Sequence, residues 1–153
     1  MPQIEAIREQ VIFQNQNRKV WQEHDKQESL HAQIIEENDE LLEAIEIDKP
    51  AFEVASEIGD IEYLCIKYEY SYGTLPDELR YIRTWAWKLA EMVGLDVYDC
   101  VEMKLIRNDL KYPAAILNNH PYDEGMQIAK DNYKSMGGDA AFSHSYLDRL
   151  SRE

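Results

Sequence analysis

Apolar residues recur along this chain at the three- and four-residue spacing that places them on one face of an α-helix. They do not alternate with polar residues over any long stretch, as the residues of a half-buried β-strand would. The clearest apolar stripe lies near the middle of the chain and contains Val54, Ile58, Ile61, Leu64, Cys65 and Tyr68. The pattern therefore predicts an all-α fold, an antiparallel bundle of about four to six helices.

Prolines and glycines between the apolar stripes mark where the predicted helices end. A residue that precedes a proline avoids helical geometry, so helices should stop before Pro50 and Pro113. Glycines are expected to end two others, at Gly73 and Gly94. The predicted helices cover about 3–25, 28–47, 51–71, 76–94 and 96–112, and two less regular ones cover 122–136 and 140–150. Residues 1–113 are predicted to form a core, and 114–153 a helical extension of the same domain.

Composition describes an acidic globular chain. It has 153 residues, 44% of them apolar, and a formal net charge of −14. Such a chain is poorly suited to bind nucleic acid or an anionic membrane, and a polyanionic substrate would require a mediating cation. The two cysteines, Cys65 and Cys100, lack metal-site spacing, which favours reduced thiols and a cytoplasmic location. Neither an apolar signal segment nor a window long enough to span a membrane is apparent, so no membrane partner is expected.

Five carboxylates are concentrated on the second and third predicted helices: Glu36, Glu37, Glu40, Glu57 and Asp60. Residues three apart on a helix share a face, so Glu37 lies beside Glu40, and Glu57 beside Asp60. The short connection makes the two helices antiparallel neighbours, so the pairs are expected to meet across their interface. Carboxylates converging there repel each other unless a cation neutralises them, and oxygen ligands favour Mg²⁺ or Mn²⁺. The alternative is solvated surface charge held in salt bridges.

A basic stripe lies on the fifth predicted helix. Its members are Lys104, Arg107, Asn108 and Lys111, whose spacing places them on one face of the helix. Lysine and arginine beside an amide donor suit the oxygens of a polyphosphate. The alternative is a stripe that pairs with the acidic residues of the protein itself.

These motifs, in this order, resemble those of the MazG-like superfamily of all-α nucleoside triphosphate pyrophosphohydrolases. The resemblance spans roughly residues 15–113. It rests on Glu36-Glu37-x-x-Glu40, Glu57-x-x-Asp60, Lys104-x-x-x-Asn108-x-x-Lys111-Tyr112-Pro113, and Trp21 sixteen residues before Glu37. Lys111 stands where the family usually has arginine, and the residues from 114 onward match no part of the family pattern.

The resemblance implies hydrolysis of a nucleoside triphosphate, with canonical or damaged deoxynucleotides favoured, to the monophosphate and pyrophosphate. It implies Mg²⁺, with Mn²⁺ as a substitute, held by Glu37, Glu40, Glu57 and Asp60. Glu36 or Glu40 would accept the proton of the attacking water. The resemblance implies that Lys104, Asn108 and Lys111 contact phosphate, and the spacing of the basic stripe adds Arg107 to them. Trp21 would either stack on the base or serve as a core tryptophan.

Two other functions remain open from the sequence. A phosphoribosyl-ATP pyrophosphohydrolase uses a similar helical scaffold, and an acidic helical bundle can act as an interaction module without catalysis. The large aromatic residues Trp85 and Trp87 favour core packing or subunit contacts over ligand binding. A homodimer or homotetramer is predicted, with the site near a subunit interface.

Overall fold

A computed structural model of the chain describes residues 2–151, with side chains described for residues 4–145. Every regular element in that range is an α-helix, which confirms the predicted all-α class. In chain order the helices are α1 Pro2–Gln16, α2 Lys19–His24, α3 Gln27–Glu46, α4 Ala51–Tyr72, α5 Asp77–Met92, α6 Val97–Lys111, α7 Ala114–Leu117, α8 Tyr122–Ser135 and α9 Gly138–Ser151. None of the described helices is both long and apolar enough to cross a membrane.

The central helix of the bundle is α4, which packs against α1, α3, α5 and α6. It is enclosed so completely that Ile58, Ile61 and Cys65 have no exposed surface. Residues 47–50 connect α3 to α4, and this short connection keeps the two carboxylate-bearing helices side by side. Burial of this apolar stripe supplies the main driving force for assembling the bundle.

Two ionisable side chains that enter the interior from α4, Glu62 and Lys67, are each matched by a partner. Glu62 is 3% exposed and accepts hydrogen bonds from Arg83 Nε at 2.8 Å and Arg83 Nη2 at 2.6 Å. Trp87 Nε1 donates a third hydrogen bond to Glu62, at 2.7 Å. Farther along the helix, Lys67 forms a salt bridge with Asp25. Burial without such partners would cost several kcal/mol per charge, so these pairs restrict how neighbouring helices can pack.

A glycine permits the close contact between α4 and α6. A Cβ atom on Gly59 would lie 2.4 Å from the carbonyl oxygen of Cys100, well inside van der Waals contact. Gly59 immediately precedes Asp60 in α4, so the approach also brings Lys104 of α6 next to that carboxylate. The absence of a side chain at residue 59 therefore contributes to the geometry of the acidic residues.

The first predicted helix, 3–25, is divided in the structure into α1 and α2. The break falls at Arg18, whose backbone is non-helical at φ −122° and ψ 84°. Its side chain is 3% exposed and donates to Tyr112 O at 2.8 Å, Gln14 O at 3.0 Å and Asp109 Oδ1 at 3.0 Å. An arginine turned inward requires this many acceptors, and the chain bends where they are available.

The C-terminal helices belong to the packed structure. The predicted break at Gly137-Gly138 is present, and both glycines have positive φ angles. Helix α8 packs against α2 and α6, and a second buried cluster forms there from Trp21, Leu117 and Ala129. The extension therefore encloses the end of the bundle that carries α2.

We expect Gly59→Ala to lower the free energy of unfolding by about 1–3 kcal/mol, because the added methyl group collides with the α6 backbone. Urea denaturation followed by circular dichroism measures the change. Ser71→Ala, at an exposed residue of the same helix, is the control and should change stability by less than about 0.5 kcal/mol. Equal stability of Gly59→Ala and the wild type would contradict the close contact.

Candidate functional site

A cavity of about 650 Å³ lies between α3, α4, α6 and the start of α9. Its charged wall includes Glu37, Glu40, Glu57, Asp60, Lys104, Arg107 and Lys111. The structure thus brings seven of the ten sequence-predicted site residues to one cavity. One apolar patch, at the α3–α4 connection, completes the wall.

Three carboxylates of the cavity converge closely. Glu37, Glu40 and Glu57 can each present an oxygen such that all three lie within 4.8 Å of one another. The convergence follows from the three-residue spacing on α3 and from the packing of α3 on α4. Oxygens bound to one octahedral Mg²⁺ are about 2.9 Å apart when adjacent and about 4.2 Å apart when opposite, so the three carboxylates would bind a single ion by moving inward.

Buried oxygen atoms in this group lack partners. The Oε2 atoms of Glu37 and Glu57 are both buried and accept no hydrogen bond within the described part of the chain. A buried acceptor without a donor costs about 1–3 kcal/mol, and more when it carries charge. A cation bound among these oxygens would remove that cost, so the donor set fits a hard divalent metal ion.

Burial, the nearby Asp60 charge and a proton shared with Glu57 raise the pKa of Glu37 far above its usual range. Burial also raises the pKa of Glu57, and Asp60 and Glu40 contribute in the same direction. The two carboxyl groups titrate as a coupled pair. Without a cation, the pair therefore retains a proton at pH values where isolated glutamates are ionised.

Asp60 lies beside the three glutamates but has a counter-ion of its own. Its carboxylate is buried, and Lys104 Nζ approaches Asp60 Oδ1 to 2.8 Å. The ammonium group also lies 5.9 Å from the centre of the Tyr63 ring. Asp60 would join the three glutamates around an ion if Lys104 turned toward another anion.

The basic side of the cavity contains a second ion pair. Arg107 donates to Asp139 from Nε at 2.8 Å and from Nη2 at 3.0 Å, the fork geometry that guanidinium also forms with phosphate. Tyr133 OH donates to the same carboxylate at 2.7 Å. Asp139, in the first turn of α9, was not predicted, because nothing near it in the sequence connects it with α6.

Lys111 is the cavity cation without a carboxylate partner among the described residues. Its ammonium group lies 5.4 Å from the centre of the Tyr112 ring and 5.6 Å from that of Tyr133. Burial and the adjacent Arg107 charge lower the pKa of Lys111. An anion entering the cavity would offset both effects by raising the pKa of Lys111.

Three predicted site residues lie away from the cavity. Asn108 is 2% exposed and donates from Nδ2 to Gln14 Oε1 at 3.0 Å. Trp21 is buried against Tyr112 in the second cluster, where its Nε1 donates to Met126 Sδ at 3.4 Å. Glu36 is exposed on α3 and does not line the cavity.

An apolar part of the cavity wall was also not predicted from the sequence. Ala44, Pro50 and Phe52 lie where α3 connects to α4. The half-buried Phe52 ring meets Phe142 of α9 edge to face, with centroids 6.1 Å apart. Ala44 is one helical turn beyond Glu40, a signal that could have indicated an apolar surface next to the carboxylates.

We expect the buried Glu37 carboxyl group to lower the stability of the metal-free protein as pH rises above about 4.5. The pKa of Glu37 is higher in the folded than in the unfolded chain, so unfolding releases a proton in this range. Glu37→Gln should remove this part of the pH dependence and be more stable than the wild type at pH 8. Urea midpoints at pH 5 and pH 8 in a chelating buffer provide the measurement.

Glu43→Gln is the matched control, since Glu43 is exposed on the same helix and does not line the cavity. It should retain the wild-type difference between pH 5 and pH 8. An unchanged pH dependence in Glu37→Gln would contradict the coupled, buried pair.

Comparison of the chain with protein-family models gave no match. Neither curated proteins nor solved structures gave a significant match. The likeness to the MazG-like superfamily therefore depends on the spacing of the motifs alone, and the functional argument depends on the cavity.

Proposed function

We propose that this protein hydrolyses a nucleoside triphosphate to the nucleoside monophosphate and pyrophosphate with the help of Mg²⁺. The observation that carries the proposal is one cavity wall in which three converging carboxylates face the three basic side chains of α6. Carboxylates alone would suit a bare cation, and basic groups alone a bare anion. Their combination suits a polyphosphate that arrives with its metal ion.

Glu37, Glu40 and Glu57 would hold the ion, and Asp60 would complete the set once released by Lys104. Bound Mg²⁺ supplies charge neutralisation of phosphate oxygens and lowers the pKa of coordinated water. Loss of the shared proton from Glu37 and Glu57 accompanies binding, because metal ligands act in their ionised forms. Binding should therefore release a proton near neutral pH.

The basic side chains would bind the phosphates by exchanging partners. Lys104 leaves Asp60 for a phosphate oxygen, and Arg107 exchanges the Asp139 carboxylate for a phosphate in the same fork geometry. Lys111 has no carboxylate to give up and offers the first contact. This arrangement also explains how a chain with a net charge of −14 can bind an anionic substrate.

The hydrolytic step transfers the α-phosphoryl group to water. The water oxygen forms a bond to the α-phosphorus, the bond to the α–β bridging oxygen breaks, and pyrophosphate leaves with the electron pair. Glu40, the exposed member of the three, accepts the proton released by the water. Glu36 is farther from this chemistry, since it does not line the cavity.

The base and sugar would lie against the apolar wall of Ala44, Pro50 and Phe52, in place of the stacking on Trp21 that the resemblance implied. Trp21 instead serves the packing of α2 and α8. Cys65 and Cys100 are free and buried, which fits a reducing compartment such as the cytoplasm for this reaction.

We expect the wild-type protein to release pyrophosphate from one or more members of a panel of dNTPs, NTPs and phosphoribosyl-ATP with Mg²⁺ or Mn²⁺. Glu57→Gln should lower kcat at least about 10²-fold, because it removes a carboxylate from the metal site. Coupled pyrophosphate detection measures the rates, and Glu43→Gln is the control with full activity.

Hydrolysis of a dNTP or NTP would support the nucleoside triphosphate pyrophosphohydrolase, whereas hydrolysis of phosphoribosyl-ATP alone would support the phosphoribosyl-ATP pyrophosphohydrolase. A non-catalytic interaction module predicts no pyrophosphate from any nucleotide and no increase in thermal stability on adding Mg²⁺. That pair of results, or full activity in Glu57→Gln, would contradict the proposal.

Asp139→Asn should lower the KM for nucleotide about two- to fivefold, because Arg107 would no longer have to break an ion pair in order to bind phosphate. The effect is small because Asp139 is exposed to solvent, which weakens that pair. The kcat should change little. Asp131→Asn, at an exposed acidic residue of α8, controls for the loss of one negative charge. Steady-state kinetics provide the measurement, and a raised KM would show that Asp139 assists binding instead.

A further inference from the structure

The outer face of α5 exposes large apolar side chains. Tyr81 is 70% exposed, Trp85 55% and Met92 77%, and their spacing places them along one stripe of the helix. The opposite face is buried in the core through Leu79, Ile82, Ala86 and Ala90. Aromatic residues contribute more than others to protein interfaces, so this stripe has the composition of an interface.

The charge of α5 distinguishes it from the rest of the chain. The helix carries three acidic and three basic residues, for a net charge of zero, whereas the whole chain carries −14. Two copies of so acidic a chain repel each other over most of their surfaces. The outer face of α5 is a surface on which a second copy can approach without that repulsion.

The order of charges along α5 is self-complementary. Asp77 and Lys88 lie at equal distances, about 8 Å, on either side of a point between Ile82 and Arg83. They are eleven residues apart, so they differ by only about 20° around the helix axis. In an antiparallel pair related by a two-fold axis at that point, Asp77 of each copy faces Lys88 of the other.

The same axis aligns the aromatic residues. Tyr81 lies just before the axis point and Trp85 just after it, about 40° apart around the helix. At this register Tyr81 of each copy meets Trp85 of the other, which gives two aromatic contacts beside the two ion pairs. Asp77 also pairs with Arg80 in its own helix, but Asp77 is 91% and Arg80 58% exposed, so that pair is weak.

We propose that a second copy of this chain docks antiparallel on the outer face of α5, with Tyr81 against Trp85 and Asp77 against Lys88 of the other copy. No residue of α5 lines the carboxylate cavity. Each copy therefore keeps its own cavity away from this interface, unlike the sequence-based expectation of a site near a subunit contact. The docking does not depend on the proposed hydrolysis.

Sedimentation equilibrium and light scattering at 10–100 μM protein — roughly the range in which moderate homodimers form — test the docking. The wild type should have twice the chain mass of 18.0 kDa. Tyr81→Glu/Trp85→Glu should have the mass of one chain and an unchanged helical circular dichroism spectrum. Phe13→Glu, at a residue that is 67% exposed on α1, is the control and should remain dimeric.

Charge reversal tests the register. Asp77→Lys and Lys88→Asp should each weaken dimerisation about three- to thirtyfold, because each breaks two symmetry-related ion pairs. The double variant Asp77→Lys/Lys88→Asp should regain most of the wild-type affinity. A monomeric wild type, a dimer that persists in Tyr81→Glu/Trp85→Glu, or a double variant as weak as the single ones would overturn the proposal.

Discussion

The structure depends on the burial of α4, a helix enclosed on all sides that nonetheless carries ionisable groups. Each group must find a partner, since an unpaired buried charge costs several kcal/mol. Glu62 meets Arg83 of α5, Lys67 meets Asp25 beside α2, and Asp60 meets Lys104 of α6. Three neighbouring segments are therefore fixed to α4 by charge as well as by apolar packing.

Buried carboxylates with a full set of hydrogen-bond donors stabilise the fold, whereas those that lack donors are candidates for binding a ligand. Glu62 accepts three hydrogen bonds from Arg83 and Trp87, which leaves little capacity for a ligand. Glu37 and Glu57 instead meet each other, and each has a buried oxygen without a partner. A fold that matches its other buried charges leaves this group incomplete, which is what an exchangeable cation would require.

The helices and the carboxylate group could be predicted because both follow from local geometry. The i, i+3 spacing places Glu37 beside Glu40 on any α-helix, and the short 47–50 connection makes α3 and α4 neighbours in any compact fold. The break at Arg18 could not be predicted in this way. It depends on acceptors more than ninety residues away, at Asp109 and Tyr112.

The sequence by itself determined the all-α class, most helix boundaries and the faces shared by Glu37 with Glu40 and by Glu57 with Asp60, because these depend on neighbours within a few turns. Only the tertiary structure decided which residues share the cavity. It turned Asn108 and Trp21 toward other buried groups, and it brought Asp139 to Arg107. The physical reason is that contacts between distant helices are selected by packing and by charge pairing over the whole bundle, which periodicity along one helix does not encode.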